Sequence, residues 1–239
     1  MALSTPTIAS ITDNFLPVTG VVASGGSTND TSPTIRVSFS GASLNYRIYL
    51  YNDSTQIGSY YTLSSADIAN GYIDITLSGL ANGTTFNFNA ILTNNSGLNS
   101  SSHSSNYTII IDTTAPSAPT LVLTVDNGTS STDGITSNGS VTVSGLETGS
   151  TWQYSTNSGS TWSTGTGSSF TLAAGTYAIG AVEVKQTDLA GNVSSAGSNE
   201  SAITIDTTAP SAPTLALTVD SGTSSTDGIT SNGSVTVSG

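Results

Sequence analysis

The chain contains no cysteine, only three lysine or arginine residues and a single histidine, His103, in 239 residues. The absence of cysteine excludes disulfides, thiolate metal sites and cysteine nucleophiles, and one histidine excludes an ordinary two-histidine zinc motif. With 15 aspartate and glutamate residues the formal net charge is −12. A chain of this charge is repelled by phosphate backbones and anionic lipid, so nucleic-acid partners are excluded.

Long hydrophobic runs are also missing. The longest apolar stretches have four or five residues, far below the ~18 residues of a membrane-spanning helix, which predicts no membrane insertion. The first residues, MALSTPTIAS, show neither the basic nor the hydrophobic region of a classical signal peptide. Hydrophobic residues make up only 35% of the chain, but they alternate in short runs, a pattern typical of folded strands rather than of disorder.

An internal repeat is the most informative feature of the chain. Residues 112–145 return as residues 206–239 with two differences in 34 positions, Val122/Ala216 and Asn127/Ser221. The offset, 206 − 112 = 94 residues, suits a small β-sandwich. We predict one module over residues 1–111, a second type over 112–205 and the truncated start of a third over 206–239. The chain is then expected to be part of a longer array.

Period-two alternation and turn residues predict an all-β fold of tandem immunoglobulin-like sandwiches, with no helical period over 11 residues or more. The strands predicted in the first module are 7–12, 34–40, 46–51, 57–63, 72–77, 85–93 and 107–111. Those predicted in the second are 120–125, 140–144, 151–155, 169–172, 176–186 and 202–205.

Alternation also predicts which side chains form the two cores. In the first module they are Ile35, Val37, Phe39, Ile48, Leu50, Ile73, Ile75, Phe86, Phe88, Ala90 and Ile109. In the second they are Trp152, Tyr154, Tyr177, Ala181 and Val184.

Several segments carry a resemblance to a known family: DTTAP, TVDNGTSSTDGITSNGSVTVSGL, WQYSTNSGSTW and AVEVKQTDLAGNVS. They resemble the tandem bacterial Ig-like repeats of very large secreted adhesins, including RTX-type adhesins and biofilm-associated proteins. The first module, with ITDNFLPVTGVVASGGSTNDTSPTI, resembles another repeat type of the same proteins, so the resemblance covers nearly the whole chain. It implies a secreted or cell-surface bacterial protein whose modules form an elongated rod, stiffened by Ca²⁺ at or near module junctions.

The acidic residues of the second module support a calcium site independently, because they concentrate in turns at its two poles. An Ig-like topology places the linker residue Asp112 near Glu147, Asp188 and Asn192 where the chain enters, and Asp206 near Asp126 and Asp133 where it leaves. Carboxylate and amide oxygens suit Ca²⁺, which takes 6–8 oxygen ligands. The predicted metal ligands are Asp112, Asp126, Asp133, Glu147, Asp188, Asn192 and Asp206.

An alternative reading of each single acid stays open, because aspartate and asparagine also favour turns without any ligand. The first module is the weaker candidate: Asn94 stands where the second module has an acid, although Asp13 and Asp30 can contribute oxygens elsewhere.

Two further motifs are interpreted as structural. The run from Ser155 to Trp162 fits the Asp-box pattern S-x-D/N-x-G-x-T-W, a hairpin device without catalytic residues. His103 lies among serines and has no partner constellation for a nucleophilic triad, so we predict a surface histidine and no enzyme active site.

Tyrosines give the first module an alternative role. Tyr46, Tyr49, Tyr51, Tyr60 and Tyr61 fall on neighbouring predicted strands. Alternation places Tyr49 and Tyr51 on the face opposite Ile48 and Leu50, where exposed rings can stack on sugars.

The sequence thus favours a non-enzymatic extender segment of a secreted bacterial adhesin, a calcium-rigidified spacer that supports adhesion or biofilm formation. Its expected partners are the neighbouring Ig-like modules of the same chain, with a surface glycan as a further candidate. The alternatives are a carbohydrate-binding module and an accessory domain of a secreted polysaccharide-degrading enzyme.

Overall fold

The computed structural model describes residues 2–239 and is built almost entirely of strands. Its first part contains β1 (Thr7–Asp13), β2 (Gly20–Val22), β3 (Gly26–Thr28), β4 (Thr34–Ser38), β5 (Arg47–Asn52), β6 (Thr55–Thr62), α1 (Ser65–Asn70), β7 (Tyr72–Thr76), β8 (Thr84–Thr93) and β9 (Tyr107–Ile111). No helix in residues 2–239 is long and apolar enough to cross a membrane.

Strands β1 to β9 form a β-sandwich, called here the first sandwich. One sheet has the strand order β2-β1-β4-β7 and the other β3-β9-β8-β5-β6. All pairs are antiparallel except β3 with β9, which run parallel. The sheets enclose one hydrophobic cluster, in which Ile35, Ile48, Leu50 and Phe88 have no exposed surface. Of the predicted core, Phe39, Ile73 and Phe86 are only partly buried against this cluster.

The next ten strands form the second sandwich. Its strands are β10 (Thr120–Leu123), β11 (Ile135–Thr136), β12 (Ser140–Ser144), β13 (Thr151–Ser155), β14 (Ser163–Thr164), β15 (Ser169–Thr171), β16 (Gly175–Tyr177), β17 (Glu183–Thr187), β18 (Gly197–Ser198) and β19 (Ile203–Ile205). They pair in the orders β10-β12-β15, β14-β13-β17-β18 and β11-β19-β16. The short strand β11 runs parallel to the last strand, β19, as β3 runs parallel to β9.

The second core is separate from the first and lies around Trp152, Phe170 and Val184, all at most 8% exposed. Tyr154 and Tyr177 pack against it and are partly buried. Each cluster draws its side chains from one sandwich only. The module boundaries at 111/112 and 205/206 stay predictions.

The single strand predicted over 176–186 is wrong. The structure divides it into β16 and β17 at a turn in which Gly180 has φ +74°. Asn199 holds this break, since its Oδ1 accepts the Val182 N–H at 2.9 Å and its carbonyl accepts the Gly180 N–H at 3.0 Å. After the break the buried positions begin at Val182, so Ala181 is half-buried outside the core.

One helical segment was not predicted. Helix α1 has six residues and begins after the N-cap Ser64, whose hydroxyl accepts the Asp67 N–H while Asp67 accepts the Ser64 N–H at 2.8 Å. This reciprocal capping box satisfies the free N–H groups at the helix start. None of the helical residues is fully buried, and only Ile68 packs against the core, where it is partly buried.

The partial third copy forms a two-stranded ribbon of β20 (Thr214–Leu217) and β21 (Val235–Ser238). Its register pairs Thr214 with Ser238, as Thr120 pairs with Ser144 in the second sandwich. The outer strand pair of the repeated sequence therefore has the same register in both copies.

Candidate functional site

The junction between the two sandwiches brings together three of the predicted metal-site residues. Asn192 Nδ2 donates to the backbone oxygen of Asp112 at 2.8 Å and to Asp188 Oδ2 at 2.9 Å. Asp188 Oδ1 accepts the N–H groups of Ala190 and Asn192, and Asp112 Oδ1 accepts the Thr114 N–H at 2.9 Å. The linker and the 188–192 loop are thus directly bonded, as the topology predicted for this pole.

Glu147 lies in the neighbouring loop, but no bond brings its carboxylate to this group. Its backbone N–H donates to Gln186 Oε1 at 2.8 Å, and the residue is exposed. The 147–150 loop approaches the 188–192 loop at Gly149, where an added Cβ would lie 3.2 Å from Leu189 Cδ1. The two loops are therefore neighbours through their backbones and Leu189, and the Glu147 carboxylate takes no part in the contact.

The first sandwich contributes two buried carboxylates to the same junction. Asp13 is 4% exposed and accepts from the Thr28 hydroxyl at 2.6 Å and the Phe15 N–H at 2.7 Å. Asp30 is 6% exposed and accepts the N–H groups of Asn14 and Ser32. Sequence reasoning named both as oxygen donors without placing them at this junction. These hydrogen bonds offset part of the hydration that each carboxylate loses on burial.

A direct contact joins these carboxylates to the second sandwich. The Asn29 N–H donates to the Ala190 carbonyl at 3.0 Å, so Asp30 and Asp188 each lie within two residues of this bond. Asn29 is 7% exposed and its Oδ1 has no hydrogen-bond partner. Gly191 has φ +96°, and an added Cβ would lie 3.1 Å from Val18 Cβ, so the contact requires glycine there. A buried oxygen without a donor is a natural ligand for a cation.

The opposite pole of the second sandwich holds Asp126, Asp133 and Asp206. Asp133 and Asp206 line one open cleft of about 480 Å³, and their Oδ1 atoms accept local N–H groups of Ile135 and Thr208.

Asp126 leaves one carboxylate oxygen without a partner at this pole. Its Oδ2 accepts the Gly134 N–H at 3.1 Å, whereas its buried Oδ1 has no hydrogen bond. The partial third copy repeats this arrangement at Asp220, whose Oδ2 accepts the Gly228 N–H at 3.1 Å and whose Oδ1 is also unpartnered. The same orphaned oxygen therefore arises from the repeated sequence in two copies.

No group of three or more histidine, cysteine, aspartate or glutamate side chains converges anywhere in residues 2–239. A cation at either pole would therefore draw on one or two carboxylates together with amide and backbone oxygens. An all-oxygen donor set of this kind fits Ca²⁺ and does not suit Zn²⁺, which prefers nitrogen and sulfur.

The Asp-box run forms the structural hairpin that its pattern predicted. Asn157 Oδ1 accepts the Thr161 N–H at 2.9 Å, and Ser155 Oγ accepts the Gly159 N–H at 3.0 Å. The Trp162 ring lies under the Lys185 ammonium, with 4.0 Å between Nζ and the ring centroid. These side chains shape the turn between β13 and β14.

No family model and no curated protein matches the chain. Among solved structures, the fibronectin(III)-like modules of Clostridium thermocellum CbhA align over 84% of this chain and 93% of theirs, at 16% identity and a TM-score of 0.42. The FN1–FN3 domains of chicken CNTN1 align over 84% of this chain and 66% of theirs, at 13% identity and a TM-score of 0.38.

Proposed function

We propose that the chain is a non-enzymatic extender segment of a secreted bacterial adhesin, in which Ca²⁺ at the poles of tandem Ig-like modules limits hinge motion. The observation that carries the proposal is the attachment of the 112–119 linker to both sandwiches. A spacer must transmit position from one module to the next, and a linker bonded on both sides does so.

The linker is bonded to the first sandwich at its beginning. The Asp112 N–H donates to the Thr28 carbonyl at 2.9 Å, and the Thr113 N–H donates to Asn82 Oδ1 at 2.7 Å. Asn82 Nδ2 in turn donates to the Thr114 hydroxyl at 3.0 Å. The first three linker residues thus follow the edge of the first sandwich.

The end of the linker is bonded to the second sandwich through Gln186. This side chain has no exposed surface, and its Nε2 donates to the carbonyls of Ser117 and Gly145 at 2.8 and 3.0 Å. Pro116 and Pro119 are buried, and each proline fixes its own φ near −65°. Only a short stretch of linker remains free to act as a hinge.

The second linker starts in the same way, which supports a repeating device. The Asp206 N–H donates to the Thr136 carbonyl at 2.9 Å, as the Asp112 N–H does to Thr28. The Thr136 hydroxyl donates to Asn127 Oδ1 at 2.6 Å, whereas the hydroxyl of Thr28 donates to a carboxylate. The two linkers therefore begin with the same backbone hydrogen bond, but the side chain beside it is a carboxylate at the first linker and a neutral amide at the second.

Charge supports Ca²⁺ at the first junction above all. Asp13, Asp30, Asp112 and Asp188 all lie in segments that meet there, so the junction carries an excess of negative charge. The only ion pair in residues 2–239 is Arg36 with Asp74, so no basic side chain neutralises these four. A divalent cation held by one or two of these carboxylates together with amide and backbone oxygens would offset this charge and connect the segments that meet at the junction.

Calcium removal is expected to lower the melting temperature. At a free Ca²⁺ concentration a hundred times Kd, binding adds about 2.7 kcal/mol, which raises the midpoint by roughly 10 °C for a domain of this size. Differential scanning calorimetry in CaCl₂ and then in EGTA measures this difference. Asp30→Asn is expected to reduce the calcium-dependent shift by more than half, because it removes a buried junction carboxylate.

The matched control is Asp53→Asn, a replacement at an exposed turn whose side-chain hydrogen bond, from Asn87 Nδ2, stays within the first sandwich. It should leave the calcium-dependent shift intact. Equal midpoints in CaCl₂ and EGTA for the unmodified chain would overturn the calcium part of the proposal.

A further inference from the structure

The outer face of the five-stranded sheet in the first sandwich carries a cluster of aromatic and basic side chains, called here the tyrosine face. It consists of Arg47, Tyr49, Tyr51, Tyr60 and His103. Strand β5 supplies the first three, because alternation buries Ile48 and Leu50 with no exposed surface and turns the intervening side chains outward.

Tyr60 joins this face through an irregularity in the pairing of β5 with β6. The register shifts between Ile48 and Leu50, so three residues of β6 lie opposite Tyr49 alone. The Tyr60 ring is 5.6 Å from the Tyr49 ring between centroids, and the residue is 42% exposed. The irregularity therefore adds a second ring beside Tyr49, as bulges often re-aim a side chain.

His103 extends the face on the side of β8. Its ring meets Tyr51 edge-on at 4.7 Å between centroids, and its Nδ1 lies 2.6 Å from Asn89 Oδ1. Asn89 is 3% exposed, and its Nδ2 donates to the Asp53 carbonyl and to Asn106 Oδ1. Because that orientation makes Oδ1 the acceptor, Nδ1 of His103 donates this hydrogen bond. In the neutral ring, Nε2 is then free to accept a hydrogen bond. The histidine is held in place by a buried residue.

Arg47 gives the face an unpaired positive charge. Its guanidinium lies 4.2 Å from the Tyr60 ring centroid, and no carboxylate in residues 2–239 forms an ion pair with it.

The acids in the β5–β6 turn and in the helix after β6 form hydrogen bonds with other residues: Asp53 Oδ1 accepts from Asn87 Nδ2, and Asp67 Oδ2 accepts from Ser64. Asp53 lies six residues further along the chain, about 20 Å in an extended strand. That exceeds the screening length of ~8 Å at physiological ionic strength, so the Asp53 carboxylate is largely screened from Arg47.

Arg36, in the same sandwich, has its charge paired with a carboxylate. It lies over the Tyr72 ring at 3.9 Å, but it also forms a two-pronged ion pair with Asp74 at 2.7 and 2.8 Å. The hydrogen bond from Arg36 holds the pKa of Asp74 below its usual range. The contrast marks Arg47 as the arginine available to an external carboxylate.

We propose that the tyrosine face binds a carboxylate-bearing polysaccharide of the uronic-acid type. Aromatic rings offer flat apolar surfaces with polar edges that suit the faces of sugar rings. The planar guanidinium of Arg47 offers only hydrogen-bond donors and pairs with a carboxylate through two parallel hydrogen bonds. Nε2 of His103 accepts a sugar hydroxyl. The site would give the chain a binding role in addition to spacing, and it does not depend on calcium.

The test uses the full chain in EGTA against oligosaccharides of galacturonate, glucuronate and mannuronate, each paired with its carboxyl-reduced neutral form, on an array and by titration calorimetry. We expect binding of at least one uronate oligomer, with the neutral form at least about tenfold weaker, since a charge-assisted bidentate pair is lost. Arg47→Gln should weaken uronate binding by a similar factor, and Tyr60→Ala should weaken both forms. Arg36→Gln, the matched control, should change neither.

Several results would overturn this proposal. They are the absence of binding to every uronate, equal binding of the acidic and reduced forms, or equal losses in Arg47→Gln and Arg36→Gln. Equal binding to polyglutamate would also contradict it, because it would show charge attraction without sugar recognition. Only variants with an unchanged melting temperature are compared. If Tyr60→Ala does not fold, Tyr49→Phe replaces it in the test; this variant keeps the aromatic ring and should retain the affinity for the neutral form.

Discussion

Replacing Phe88 with alanine is expected to lower the free energy of unfolding of the first sandwich by about 3–5 kcal/mol, the usual cost of a buried Phe→Ala change. Phe88 has no exposed surface, and its ring stacks on Phe86 at 5.4 Å between centroids. The change leaves a cavity between two sheets that cannot close around it. Thermal unfolding followed by circular dichroism should show the melting temperature of the first sandwich lowered by at least about 12 °C.

The same variant tests whether the two sandwiches unfold separately. Both tryptophans, Trp152 and Trp162, lie in the second sandwich, so tryptophan fluorescence reports its unfolding alone. The fluorescence midpoint should move by less than ~3 °C in Phe88→Ala. Phe15→Ala, at a residue 58% exposed, is the control and should move neither transition. A joint shift of both signals in Phe88→Ala would contradict two independent cores.

Replacing Gln186 with leucine should destabilise the second sandwich by about 3–5 kcal/mol, since leucine fills the space but leaves several buried groups unpaired, each at a cost of about 1–3 kcal/mol. The glutamine side chain accepts from the Glu147 N–H and donates to the Ser117 and Gly145 carbonyls. Urea unfolding followed by tryptophan fluorescence measures the change.

Gln56→Leu is the matched control for this substitution. Gln56 is exposed and makes a single bond, from its Nε2 to the Gly58 carbonyl at 2.9 Å, so its loss should stay within ~0.5 kcal/mol. Because Gln186 also fixes the linker, the Gln186→Leu variant should be cut faster than the parent chain by a protease acting between residues 112 and 119. A loss below about 1 kcal/mol in Gln186→Leu, less than one unpaired buried group costs, would show that the linker is held by other contacts.

Much of the fold was predictable because a strand with one face on the core and the other toward solvent shows alternating hydrophobic and polar residues. The predicted bounds 140–144 and 151–155 agree with β12 and β13. The prediction failed for 176–186, where the apolar pattern continues through Gly180 and the break depends on Asn199, a residue distant in sequence. Short strands such as β3 and β11 were missed because two or three residues carry no period. Their pairing with the last strand is fixed by tertiary structure alone.

The candidate site was predictable where one loop and one linker supply it. Asp112, Asp188 and Asn192 are joined as the topology predicted. The burial of Asp13 and Asp30 was not predictable, because it depends on the Thr28 hydroxyl and on the approach of the 188–192 loop. An aspartate in a turn looks the same in sequence whether it faces water or a neighbouring module.

Small-angle X-ray scattering of the same sample in CaCl₂ and in EGTA measures whether calcium holds the two sandwiches in a fixed relative orientation. Each sandwich should span roughly 35–45 Å along its strands, so the two sandwiches together should span about 80 Å in CaCl₂, before the length of the β20–β21 ribbon is added. After chelation we expect a broader distance distribution, in which the second peak, from the separation of the sandwiches, is lost. Superimposable curves in CaCl₂ and EGTA would contradict the account.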